Sequence, residues 1–94
     1  MKDKLTIQRN WDSEWFTPYA EAEGLSEDFK FAAKAELRKE VYWIATFPMN
    51  EDLESSISIR ISKIENLAAQ NSGSASSFDP YFEQRKLFFE WAIA

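Results

Sequence analysis

Between Leu25 and Phe47 the chain runs for more than twenty residues without glycine or proline, opened by Ser26 and closed by Pro48. No other stretch limits the fold as much. A run of that length between a capping residue and a helix breaker is the signature of one long helix. Glu27 and Asp28 fall in its first turn, where carboxylates complement the unpaired amide groups. At about 100° per residue, Phe29, Ala33, Leu37, Val41, Trp43, Ile44 and Phe47 share one wide apolar face. Phe31, Ala35 and Tyr42 make a narrower stripe on the opposite side. One side is expected to meet the helix carrying Leu53 to Ala68. The other, with Phe31 and Tyr42, needs the C-terminal helix or a second chain. If these two rings were exposed and unpaired in a monomer, an interaction role for them would lose its best support.

The flanking segments offer mainly one apolar side each. Lys4 to Gln8 holds only Leu5 and Ile7, enough for a short edge strand or an ordered arm. Trp11, Trp15, Tyr19 and Ala22 recur at helical spacing, but Pro18 removes a backbone donor and clashes with a preceding helical turn. The expectation is therefore one turn over 12–16 and a separate short helix over 18–23. Thr17 would cap that helix, Pro18 would start it and Gly24 would close it in a left-handed conformation.

Val41 to Phe47 and Ser56 to Ser62 are rich in strand formers, so a hairpin of 41–47 with 56–62 is the alternative to helices there. The second run decides against it. Leu53, Ile57, Ile61, Ile64, Leu67 and Ala68 fall within an arc of about 120°, as a core-facing helix requires. Ile59 lies off that arc, and Arg60 lies inside it, near an end where its charged head reaches water along an apolar stem. Asn50 is expected to cap this helix, and the short connection through Pro48 and Met49 makes it antiparallel to the central one. A flexible loop over 71–77 follows. Asp79 and Pro80 then signal the start of a last helix, in which Tyr81, Phe82, Phe88, Phe89, Ala92 and Ile93 cover one side. Leu87 and Trp91 form a separate patch, and an apolar end from Phe88 to Ala94 has to dock. The fold class that results is all-α: a single domain over 1–94, built as a bundle of three long helices, near 27–46, 51–70 and 80–93, plus a short broken N-terminal helical segment.

Function is bounded mainly by what is missing. The 94 residues include no histidine and no cysteine, which removes the commonest general base, the commonest metal ligand and the thiolate nucleophile. The only glycines are Gly24 and Gly73, so no phosphate-binding loop is present. Glu21, Glu23, Glu27 and Asp28, and likewise Glu51, Asp52 and Glu54, sit at helix starts, where capping and dipole effects account for them. No catalytic, cofactor or metal residue is assigned. A net charge of −5 argues against a phosphate-backbone binder. No segment has the apolar run of a signal peptide or a membrane span, and the expected location is cytoplasmic.

What remains is aromatic density, with eight Phe, four Trp and three Tyr. Most of these rings are expected to pack together. Phe31, Tyr42, Leu87 and Trp91 are the ones a small core would have difficulty covering, and they are the candidate partner-binding residues. The expected function is protein binding by a small acidic non-catalytic chain, of inhibitor, immunity or adaptor type, or through a second copy of itself. The alternative is a helical nucleic-acid-binding regulator using Lys30, Lys34 and Arg38, a row of like charges that needs nearby acids to be stable. Glu21, Glu23, Glu51, Asp52 and Glu54 are candidates for that pairing.

Overall fold

The computed structural model describes residues 1–70 and 79–94, so the loop expected over 71–77 lies outside the described residues. Among the described residues there are four helical stretches. The first is continuous through α1 (Lys4–Asn10), a π-helical segment (Trp11–Phe16) and α2 (Thr17–Glu23). It is followed by α3 (Glu27–Ala45), α4 (Leu53–Gln70) and α5 (Phe82–Ile93). The fold is all-α. Among the described residues there is no strand, and the alternative hairpin is not supported, since 41–45 belongs to α3 and 56–62 to α4. Burial along a helical stripe outweighs the strand preference of Val, Ile and Thr.

The N-terminal segment departs most from its sequence-based expectation. Lys4 to Gln8 is helical and not a strand. Asp3 caps it by accepting a hydrogen bond from Thr6 N at 2.8 Å, and of its two apolar residues Ile7 is fully buried while Leu5 is exposed. Pro18 does not divide the segment either. Just before it the backbone widens into a π-turn, where Thr17 N–H donates to Asp12 O, five residues back. The wider turn accommodates the missing donor of Pro18 without ending the helix. Thr17 has helical dihedrals and is not a cap; its hydroxyl bonds the Asp12 side chain at 3.1 Å. The same turn lets Trp11 and Phe16, five residues apart, both enter the core with ring centroids 6.1 Å apart. Gly24 closes α2 at φ 63°, in the left-handed region as expected.

Ser26 caps α3 as expected, its hydroxyl accepting from Phe29 N at 3.2 Å. For α4 the cap is Asp52 and not Asn50: its carboxylate takes Ser55 N at 3.1 Å and Ser55 Oγ at 2.8 Å. Asp79 forms a turn instead of an N-cap, accepting from Tyr81 N at 3.0 Å, and α5 begins two residues later than the Asp-Pro signal suggests.

The core gathers around α5 and not around α3. Phe88, Phe89 and Ala92 are fully buried, and α5 packs against the π-segment, α3 and α4. Phe88 alone has Trp11, Trp15, Phe89 and Trp91 within 6.2 Å, centroid to centroid. The α4 stripe of Leu53, Ile57 and Ile61 reaches the core chiefly against α5, a correction to the expected pairing with α3. Arg60 spans the gap between α4 and α3. It sits mid-helix, not near an end, with its guanidinium 3.9 Å from the centroid of the Trp43 ring. The molecule measures 37 × 31 × 19 Å. Its thinnest dimension is about two helix diameters, so peripheral helices keep one side in solvent.

Candidate functional site

α3 presents its narrow stripe to solvent. Phe31 is 76% exposed and Tyr42 71%, although both are large rings. They lie on one side of α3, about 16 Å apart along the axis. Ala35 and Arg38 stand exposed between them and complete an i, i+4, i+7, i+11 series. The sequence offered two ways to cover this stripe. The C-terminal helix is not one that the fold uses, since Phe31 and Tyr42 remain exposed while α5 packs on the buried side of α3.

The other two candidates lie elsewhere. Trp91 packs its ring against Phe88 and belongs to the periphery of the core. The ammonium of Lys2 sits 4.7 Å over that ring and donates to Trp91 O at 2.7 Å, while Lys2 N donates to Ala92 O at 3.0 Å. This arrangement satisfies carbonyls at the end of α5 and places a cation where the helix dipole favours one. Leu87 is half-buried and stands outside the core cluster. The four residues therefore divide: Phe31 and Tyr42 share one face, and Leu87 and Trp91 do not join it.

The cationic row on α3 is also divided. Lys30 pairs with Glu27 at 3.2 Å and Lys34 crosses to Asp12 at 3.2 Å. None of the five acids expected to balance the row does so. Arg38 makes no ion pair among the described residues.

A network absent from the sequence-based expectations lies on the flank of α3. The Arg85 guanidinium reaches Asp79 through Nε at 2.7 Å, Glu36 through Nη2 at 2.8 Å and Glu40 through Nη1 at 3.3 Å. Glu40 is shared with Arg60 at 3.2 Å. Hydrogen bonds from Arg85 and then Lys39 hold the Glu36 carboxyl below the usual range. Burial opposes the Arg85 charge, but the bonds to Asp79 and Glu36 outweigh it and keep the group above its ordinary value. The signal was present in sequence: Glu36 and Glu40 are like charges at i, i+4 and need a cation between them. These carboxylates are tied up in structural pairing. Gln84 is a second polar group missed in the core, 5% exposed, with Nε2 donating to Tyr19 Oη at 3.1 Å.

Between α3 and α4 lies an open groove of about 370 Å³, lined by Trp43, Ser56, Ile59, Arg60 and Lys63. In sequence only Ile59 stood out as off the α4 stripe and Arg60 as a charge within it, while Trp43 was read on the wide face of α3, because a helical wheel does not show which neighbour stands opposite.

Among the described residues, no group of three or more His, Cys, Asp or Glu side chains is placed to hold a metal ion. No helix among them is long and apolar enough to cross a membrane. Comparison with protein-family models, with curated proteins and with solved structures finds no match to this chain.

Proposed function

We propose that this is a small, acidic, non-catalytic cytoplasmic protein that acts by binding another protein, as an inhibitor, immunity or adaptor subunit, with the outer side of α3 as its docking element. The observation that carries this reading is the exposure of Phe31 and Tyr42 in the single chain, at 76% and 71%, on one side of a helix anchored on its other side by Ala33, Leu37 and Ile44. The reading requires a partner to cover both rings, and a chain that keeps them bare as a monomer in the cell counts against it. Aromatic side chains dominate interface energetics, and anchors at i, i+4, i+7 and i+11 suit a helix laid into a groove of a partner. Two such rings bury about 150–250 Å² each at most, short of the roughly 800 Å² per partner of a standard interface. A concave partner that wraps the flanks of α3 makes up that area better than a second flat copy.

A photo-crosslinking residue at position 42, with one at the exposed position 54 as control, tests this in producing cells. A discrete adduct at 42 and none at 54 is expected. An adduct of twice the chain mass would point to self-association, and no adduct at 42 would count against the docking face. Light scattering after size exclusion on wild type and Tyr42→Asp reads the self-association version directly. Trp91→Asp does not serve for this purpose, because Trp91 packs on Phe88 within the fold.

A further inference from the structure

The groove between α3 and α4 differs in charge from the rest of the molecule. The chain carries a net charge of −5, yet both charged residues that line this groove, Arg60 and Lys63, are cations. Ser56, Ile59, Arg60 and Lys63 line it from α4, and Trp43 faces them from α3. Arg60 is held in place before any ligand arrives, stacked on Trp43 at 3.9 Å and bonded to Glu40 at 3.2 Å. Lys63 makes no ion pair among the described residues, so its ammonium is free for a carboxylate. Ile59 is 55% exposed at the same place, an aliphatic surface next to that free cation.

We propose that this groove docks an acidic segment of a partner polypeptide that carries an apolar residue beside its carboxylate. The carboxylate meets Lys63, a polar group further along the segment meets the Ser56 hydroxyl, and the apolar side chain between them rests on Ile59 and the edge of the Trp43–Arg60 stack. Residues 56 to 63 extend about 10 Å along α4, a linear array that matches a linear ligand better than a compact anion. A lone exposed ion pair contributes little, so the apolar contact supplies most of the affinity and Lys63 the selectivity for charge sign. The site is separate from the Phe31–Tyr42 face and does not depend on that face binding anything.

Panning a phage-displayed library of short random peptides on the wild-type protein, in parallel with Lys63→Glu, tests the proposal. Peptides selected by wild type are expected to be enriched in Asp or Glu next to Leu, Ile, Phe or Trp. A fluorescein-labelled representative should bind wild type about tenfold more tightly than Lys63→Glu or Ile59→Asp, and more weakly as salt rises. It should also shift the indole N–H resonance of Trp43. Both substitutions are at exposed or half-exposed helix positions, and unchanged circular dichroism confirms that the variants fold. Phe31→Asp should leave peptide binding unchanged, which separates this site from the α3 face. Recovery of peptides without acidic enrichment, or binding indifferent to both substitutions, overturns the proposal. Displacement of the peptide by equimolar free glutamate would mean a small-anion site and would overturn it as well.

Discussion

α3 and α5 each carry four aromatic residues, and they end in opposite circumstances. In α5, twelve residues long, Phe88 and Phe89 are fully buried; in α3, nineteen residues long, Phe31 and Tyr42 are mostly exposed. Both helices have apolar residues on two sides. The difference lies in how many neighbours each one has. α5 packs against the π-segment, α3 and α4, so nearly any side it offers meets another element. α3 packs against α1 and α5, and these two leave the side with Phe31 and Tyr42 uncovered. An apolar pattern states which sides of a helix favour cover, and topology decides which of them receive it. An apolar side without cover on a peripheral helix is accordingly where an interaction surface is best sought.

The largest expected effect tests this contrast directly. Phe88→Ala should lower the free energy of unfolding by about 3–5 kcal/mol in urea titration, because it empties a ring-sized volume among four other aromatics. A loss below about 1 kcal/mol would mean that α5 does not occupy the centre.

Arg85→Ala sharpens the comparison at the seam between the two helices. It leaves Glu36, Glu40 and Asp79 without their shared cation and should cost about 2–3 kcal/mol. Arg85→Lys should recover only part of this, since an ammonium cannot reproduce the three-way fork. Arg85→Lys as stable as the wild type would show that charge alone matters there, and Arg85→Lys no more stable than Arg85→Ala that only the fork does.

A smaller effect is expected from acid. Glu36 is held below the usual carboxylate range by Arg85 and then Lys39, and Asp3 and Asp52 are held down by their capping bonds to Thr6 and Ser55. A group with a depressed folded-state value stabilises fully above its unfolded value and loses that contribution as pH falls through the folded one. The urea midpoint should therefore decrease as pH is lowered below the ordinary carboxylate range of about 4. Glu36→Gln should flatten that fall, and a parallel curve would remove Glu36 from the linkage.

Phe31→Ser closes the series, with a change within about 0.5 kcal/mol in stability. If it destabilised as much as Phe88→Ala, the outer side of α3 would be packed and the proposed docking face would be lost.

Much of the fold was legible because its signals are local. The Ser26 cap, the left-handed Gly24 and the stripe of Leu53, Ile57 and Ile61 each depend on residues within a few positions of one another. The breaks were less legible. Pro18 reads as a helix stop, yet the chain keeps its helix by widening a turn, and the wider turn buries both Trp11 and Phe16. Of the candidate site, Phe31 and Tyr42 were readable as a stripe. The opposite setting of Trp91 was not, because its cover comes from Lys2, at the far end of the chain.

By itself the sequence determined the helical class, the run of α3, the missing catalytic residue types and the existence of more apolar stripes than one small core can hold. These follow from periodicity, capping and composition, which act over a few residues. Only the tertiary structure decided that α5 takes the centre, that Arg85 gathers three carboxylates, that Arg60 stacks on Trp43 and that the uncovered stripe belongs to α3. Each of these rests on contacts between residues far apart in the chain, and long-range packing alone selects which of several equally apolar sides is buried.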